Sequence, residues 1–240
     1  MRQQSGLELA LDGPLSWSFY PRLGVRVEDA RAWLPAQSDE DDAFAAIERA
    51  EVSLALAPLL SGRIAIDGLT LEGMSLDLIR DEQGKGNWEV LLERLEQKGD
   101  NAEAALAPAS AGPAMRHDAD VALDIASVQV LDSRIHYADR RSGLDITVSD
   151  LKISGTNVNP VNAFPLKIDF LIDSAAPGMS SDVSLQSKVR LGLEDARYVL
   201  EDLTLDTQTR LTEFEDQEQA LSLSVERLVA EVANGHYCLD

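Results

Sequence analysis

The chain contains a single cysteine, Cys238, so no disulfide can form within it. Its three histidines, His117, His136 and His236, never stand three or four residues apart, which removes the helical zinc pattern. Cations are scarce: 21 Lys and Arg face 42 Asp and Glu, a formal net charge of −21. That balance excludes binding nucleic acid through its phosphates and docking on anionic lipid through a basic face. It describes a well-solvated outer surface. Aromatics are only 5%, so the apolar content is aliphatic. No run approaches the roughly 18–20 apolar residues that span a bilayer, and no charged-then-apolar leader follows Met1.

Strand periodicity is abundant. Leu7, Leu9 and Leu11 alternate with polar or small residues, and Leu15, Trp17 and Phe19 follow Asp12-Gly13-Pro14, which reads as a hairpin turn. Val25 and Val27, then Val52, Leu54 and Leu56, and later Leu203 with Leu205 and Leu221 with Leu223 continue the pattern. Short alternating runs separated by Asp-Gly, Ser-Gly and Asn-Pro predict antiparallel meanders rather than βαβ units. Two segments read as short helices. Residues 41–49 carry Phe44 and Ile47 at helical spacing behind an acidic start, and residues 88–97 carry Trp88, Leu91, Leu92 and Leu95 behind Asn87 as a cap.

Composition divides the chain into 1–99, a Ala/Pro/Ser/Gly-rich linker or loop at 100–118, and a second antiparallel β segment at 119–240 that continues the sheet. A repeat spans the linker. Leu69, Leu71, Leu76 and Leu78 match Val128, Val130, Ile135 and Tyr137 in spacing, and an acid and a glycine follow each copy, as Asp81 and Gly84 or Asp139 and Gly143. A short unit, Asp67-Gly68-Leu69-Thr70-Leu71, recurs as Asp150-Leu151-Lys152-Ile153 and Asp202-Leu203-Thr204-Leu205.

Chemistry-bearing motifs are missing. Ser154-Gly155 lacks the rest of a nucleophile elbow. Gly84-Lys85 would need an upstream glycine where Ile79 stands, and no Ser or Thr follows Lys85. A calcium loop opening at Asp39 would place Phe44 and Ala50 where a glycine and an acid belong. His136 has the parity opposite to its apolar neighbours and is expected to face solvent. No catalytic residue, metal ligand or cofactor site is expected, and the chain does not read as an enzyme.

The segment from Ser5 to Trp88 resembles the N-terminal region of the AsmA family. The likeness rests on Gly6-Leu7-Glu8-Leu9-Ala10-Leu11-Asp12-Gly13, on Leu15-Ser16-Trp17-Ser18-Phe19-Tyr20-Pro21-Arg22-Leu23-Gly24, and on Pro58-Leu59-Leu60-Ser61-Gly62-Arg63-Ile64. Leu76-Asp77-Leu78-Ile79-Arg80-Asp81 and Gly86-Asn87-Trp88 complete it. After Val121 it is looser, resting on Asp132-Ser133-Arg134-Ile135-His136-Tyr137-Ala138-Asp139, and Trp33-Leu34-Pro35 departs from the family's usual Asn-Pro turn. The resemblance implies a periplasmic, β-rich portion of a protein anchored in the inner membrane by one helix, here expected just before Arg2. It also implies a role in outer-membrane assembly and lipid homeostasis, with a fold similar to bridge-like lipid-transfer proteins.

The expected architecture is therefore mainly β: curved antiparallel sheet of repeated hairpins with two short helices, forming a groove or open sandwich. One aliphatic face needs a cover, which is a second sheet, a closed barrel, lipid or a neighbouring module. The expected partner is phospholipid or another envelope lipid, with envelope protein contacts as the alternative. The candidates for the lipid-facing set are Leu69, Leu71, Leu76, Leu78, Val128, Val130, Ile135, Tyr137, Leu144, Ile146, Val148, Leu166, Ile168 and Phe170, chosen because side chains two apart share a sheet face.

Overall fold

Alternating aliphatic and polar residues are satisfied by a sheet with one apolar face, and the computed structural model of the chain is such a sheet. It describes residues 8–19, 22–34, 43–60, 65–89, 125–159, 162–176, 178–192, 197–212, 218–231 and 236–239. The strands are β1 (Glu8–Leu11), β2 (Leu15–Ser18), β3 (Leu23–Trp33), β4 (Ala45–Leu54), β5 (Ile66–Arg80), β6 (Ile125–Asp139), β7 (Leu144–Val158), β8 (Phe164–Ala175), β9 (Gly178–Gly192), β10 (Arg197–Leu211), β11 (Glu218–Glu231) and β12 (His236–Leu239). One helix, α1 (Leu56–Leu60), is present among the described residues. All twelve strands join one open curved sheet in the order β1-β3-β4-β5-β6-β7-β8-β9-β10-β11-β12, with β2 also on β3.

Neighbours are antiparallel except for β5 and β6, which are parallel. The parallel pair explains the repeat in the sequence. Its register sets Leu69 beside Val128, Leu71 beside Val130, Leu76 beside Ile135 and Leu78 beside Tyr137. Two parallel strands in register need their apolar and irregular positions at equal spacing. Gly73 and Asp132 accordingly both take positive φ, 62° and 47°. Ser133, 1% exposed, locks the two irregularities together: its hydroxyl donates to Leu131 O (2.9 Å) and accepts from Met74 N (3.3 Å). The turns after the strands match as well. Asp81 Oδ1 accepts from Gln83 N and Lys85 N, Asp139 Oδ1 accepts from Arg141 N and Ser142 N, and Gly84 and Gly143 close them at positive φ.

Three expectations need correction. The predicted helix over 41–49 is β4 from Ala45 onward. Pairing on both sides outweighs the Phe44–Ile47 spacing, and Arg49 and Glu51 make cross-strand ion pairs with Glu72 (2.5 Å) and Arg26 (2.8 Å). Asp12-Gly13-Pro14 is no hairpin turn. β1 pairs Ala30–Trp33 of β3 and β2 pairs Gly24–Val27, so the two run in line along one edge around a bulge. A Cβ on Gly13 would meet the Glu28 carbonyl, and that close approach is what the glycine permits. Asn87 returns to β5 rather than only opening a helix: its Oδ1 accepts from Ile79 N (3.1 Å) and its Nδ2 donates to Asp77 O (2.9 Å). The rest of the 88–97 helix and the 100–118 linker lie outside the described residues.

The core is thin. Every substantial contact between described elements joins hydrogen-bonded strand neighbours, so no described element forms a second layer. The only described side chain that is fully buried is Ser133. A domain normally packs two layers around its apolar interior. Here the described residues supply one.

Candidate lipid-facing surface

Partners directly opposite in a ladder point to the same face, so the registers define rows across the sheet. One row runs Leu15, Val27, Ala50, Leu71, Val130, Ile153, Ile168, Leu185, Leu205, Leu223, crossing β2 to β11 without a polar residue. The row one residue away is wholly polar: Ser16, Arg26, Glu51, Thr70, Gln129, Ser154, Lys167, Gln186, Thr204, Ser224. One face of the sheet is thus apolar from edge to edge. The apolar row ends exposed on both sides, with Leu15 at 54% and Leu223 at 46%. At about 4.8 Å between strands, the ten-strand row is about 43 Å long.

A second apolar row crosses the same face farther along the strands: Ala32, Ala45, Leu76, Ile135, Val148, Ile172. It turns polar at β9, continuing as Ser181, Thr209 and Gln219. β8 proves that both rows share a face, because Ile168 and Ile172 are four residues apart on an uninterrupted strand. On β3 to β7 the step between the rows is odd, which would ordinarily turn the side chain over. Each of these odd steps on β3, β5, β6 and β7 contains one residue in the left-handed region: Asp29 (φ 49°), Gly73 (62°), Asp132 (47°) and Asp150 (51°). Asp202 (53°) does the same on β10 between Leu200 and Leu205. An inserted residue restores the face and bends the strand. Aspartate tolerates this conformation better than most residues, and Gly73 takes it where a Cβ would meet the Glu48 side chain.

All fourteen residues chosen from the sequence fall on the apolar face. Leu69, Leu71, Val128, Val130, Leu166 and Ile168 stand on one side of the bulge line, and Leu76, Leu78, Ile135, Tyr137, Leu144, Ile146 and Val148 on the other, with Phe170 between. Simple parity does not unite them, since Leu69 and Leu76 have opposite parity, and the bulges do. The sequence reading missed the outer members of the long row, Leu15, Val27, Leu185, Leu205 and Leu223. Their alternation is as clear as that of the central strands, but only the register aligns them.

The other face is held by polar pairs. His136 joins three strands there, with Nδ1 3.0 Å from Asp77 Oδ1 and Nε2 3.2 Å from Asp145 Oδ1. Lys167 and the Ser184 hydroxyl hold the Asp169 carboxyl below the usual carboxylate range, against a smaller opposing effect of desolvation. Asp202 raises the Lys188 ammonium, which lies 2.8 Å from it. A shallow hollow of about 610 Å³ opens beside Asp145, Thr147, Asp173 and Arg210, but Arg210 is engaged by Glu218. Among the described residues, no three His, Cys, Asp or Glu side chains converge on a possible metal position.

A curved sheet with no second layer among the described residues, an unbroken apolar row on one side and ion pairs on the other defines a class of protein that must cover that face with something outside the sheet. Comparison of the chain with known families agrees with the resemblance in its residues. The AsmA family profile matches residues 1–234, and the chain belongs to the AsmA family. No curated protein and no solved structure matches it.

Proposed function

We propose that this chain is the periplasmic part of an inner-membrane-anchored protein and carries phospholipid acyl chains along its apolar face, serving outer-membrane assembly and lipid homeostasis. The unbroken ten-residue apolar row carries this reading. An acyl chain offers area and no hydrogen bonds, which suits a surface of Leu, Ile and Val without fixed polar groups. Half of a bilayer's hydrocarbon thickness is about 15 Å, so the row is long enough for about three lipids in succession. A methylene contributes about 0.8 kcal/mol when fully buried, and a sheet covers one side of a chain only. The face therefore shelters a lipid less completely than a bilayer does, which favours passage over trapping. The reading assigns no chemical step to the protein.

A second reading, an envelope scaffold acting through protein contacts, is favoured by the edge at β11. Its residues 218–227 have no outer strand among the described residues, and Leu221 is 62% exposed. Native mass spectrometry of the purified chain separates the two. Co-purified phospholipid supports the acyl-chain reading. A lipid-free chain that also fails to take up lipid from vesicles removes it and leaves the scaffold.

A further inference from the structure

Where the second half of the apolar face ends, the sequence places a cation. Arg80 follows Leu76 and Leu78 at intervals of two and so stands on their face, at the last position of β5. Its guanidinium lies 5.7 Å from the centre of the Trp88 ring, and Trp88 lies 6.0 Å from Tyr137 at a tilt of 45°. Arg80 Nε is buried without a hydrogen-bond partner, and among the described residues no carboxylate lies within ion-pair distance of its guanidinium. The β6–β7 turn brings two further arginines alongside. Arg140 N donates to Arg80 O at 3.0 Å, and Arg141 reaches over Gly84.

Asp139 stands opposite Arg80 in the β5–β6 register and feels its charge without reaching ion-pair distance. One oxygen each of Asp81 and Asp139 is taken by turn amides, Glu89 Oε1 accepts from Gly86 N, and Glu82 is exposed. Elsewhere on the sheet Arg22, Arg26, Arg49, Lys188 and Arg210 all meet a carboxylate. In a chain of net charge −21, an arginine at the end of an apolar face with no carboxylate at ion-pair distance among the described residues can offer the outer nitrogens of its guanidinium to an anion.

We propose that Arg80, flanked by Trp88 and supported by Arg140 and Arg141, receives the phosphate of a phospholipid headgroup whose acyl chains lie on Leu78, Tyr137 and Ile146. The inference rests on the acyl-chain reading and adds to it a fixed place for the headgroup. A guanidinium fork matches phosphate oxygens, and the ring beside it shields the pair from water. The protein's overall charge repels a lipid of net negative charge, so the matching headgroup is zwitterionic.

The test uses phosphatidylethanolamine labelled on one acyl chain, with diacylglycerol carrying the same chains and label as the headless control. Arg80→Gln and the double variant Arg140→Gln/Arg141→Gln are each expected to lower capture of the phospholipid about tenfold and to leave diacylglycerol capture unchanged. Arg80→Lys should recover part of the loss. Equal loss of both probes in variants with unchanged melting overturns the site, because Arg80 would then only shape the apolar face. No loss of either probe overturns it as well. Free glycerol 3-phosphate that displaces the phospholipid at millimolar concentration would assign the site to a soluble phosphate instead. Failure of the unaltered chain to capture diacylglycerol at all would remove the acyl-chain reading, and the headgroup site with it.

Discussion

Strands β5 to β8 and strands β9 to β11 belong to one sheet but offer different floors. On β5 to β8 the apolar face carries residues on both sides of the bulge line, as with Leu71 and Leu76, Val130 and Ile135, or Ile168 and Ile172. On β9 to β11 the second row turns polar, as Ser181, Thr209 and Gln219, while Leu185, Leu205 and Leu223 keep the long row and Val189, Leu200 and Leu228 form an apolar row on its other side. Ser181 and Thr209 spend their hydroxyls on each other at 2.7 Å, so this part of the face is closed by hydrogen bonds. Toward β11 the apolar surface thus loses its second row and keeps the long row with Val189, Leu200 and Leu228 beside it. Width at one place and continuity across the whole sheet are separate properties, and they can be broken separately.

The largest expected effect tests continuity. Ile168→Asp puts a carboxylate in the long row between Ile153 and Leu185. It should lower lipid capture by at least about tenfold, while Thr209→Asp in the polar part of the second row should leave capture unchanged. Because no described element covers the face, melting of Ile168→Asp should fall far less than the several kcal/mol a closed core would lose. Equal lipid capture by the two folded variants would break the comparison.

The next effect tests the device that joins the two rows. Gly73→Val forces a β-branched residue into φ 62° and against Glu48, and it should cost about 1–3 kcal/mol in urea denaturation. Asp150→Gly relieves a left-handed aspartate at φ 51° and should change stability by less than about 1 kcal/mol. Like losses from both would mean that the bulge positions do not set the face.

A smaller effect concerns the β11 end. Leu223→Glu replaces a side chain that is 46% exposed, so stability should change by no more than about 0.5 kcal/mol. Lipid capture should fall less than with Ile168→Asp, since only the end of the track is lost. Analytical ultracentrifugation of this variant would also expose any self-association through the β11 edge.

The smallest effect is on pH. Asp169 is held below its ordinary value of 3.8 chiefly by Lys167, and desolvation opposes this. For Asp139 desolvation pushes upward, but the Arg141 and Ser142 amides, the Ser142 hydroxyl and the Arg80 charge together bring it down. A carboxyl depressed in the folded state adds stability that is present above its unfolded value and lost as pH falls through its folded value. Thermal melts should therefore be flat in this respect above about pH 5 and decline below about pH 4. Asp169→Asn should shrink that decline slightly.

Much of the fold was legible. The alternation placed most strands, and the repeat of Leu69–Leu78 with Val128–Tyr137 anticipated the residues that pair in β5 and β6. It did not anticipate that they are parallel neighbours, because a repeat tells that two segments are alike and not that they touch. The residues 41–49 were misread because Phe44 and Ile47 stand three apart, a helical spacing, and pairing with a strand on each side overrode it. Asp12-Gly13 was misread because a turn signal and an edge bulge use the same residues. In the candidate surface, the central residues were legible from alternation and the outer ones were not aligned. Arg80 carried a visible signal, a cation two residues after Leu76 and Leu78, but its unspent donor appears only when Trp88 folds back beside it.

By itself, the sequence determined that this is a β protein with one aliphatic face, a solvated acidic exterior and a repeated strand pair, because side-chain alternation and charge are local properties of the chain. Only the tertiary structure decided that two apolar runs of opposite parity share a face, and that ten of their residues form one unbroken row. Both depend on strand register and on a handful of left-handed residues at the bulges, and register is a relation between distant segments that no local pattern specifies.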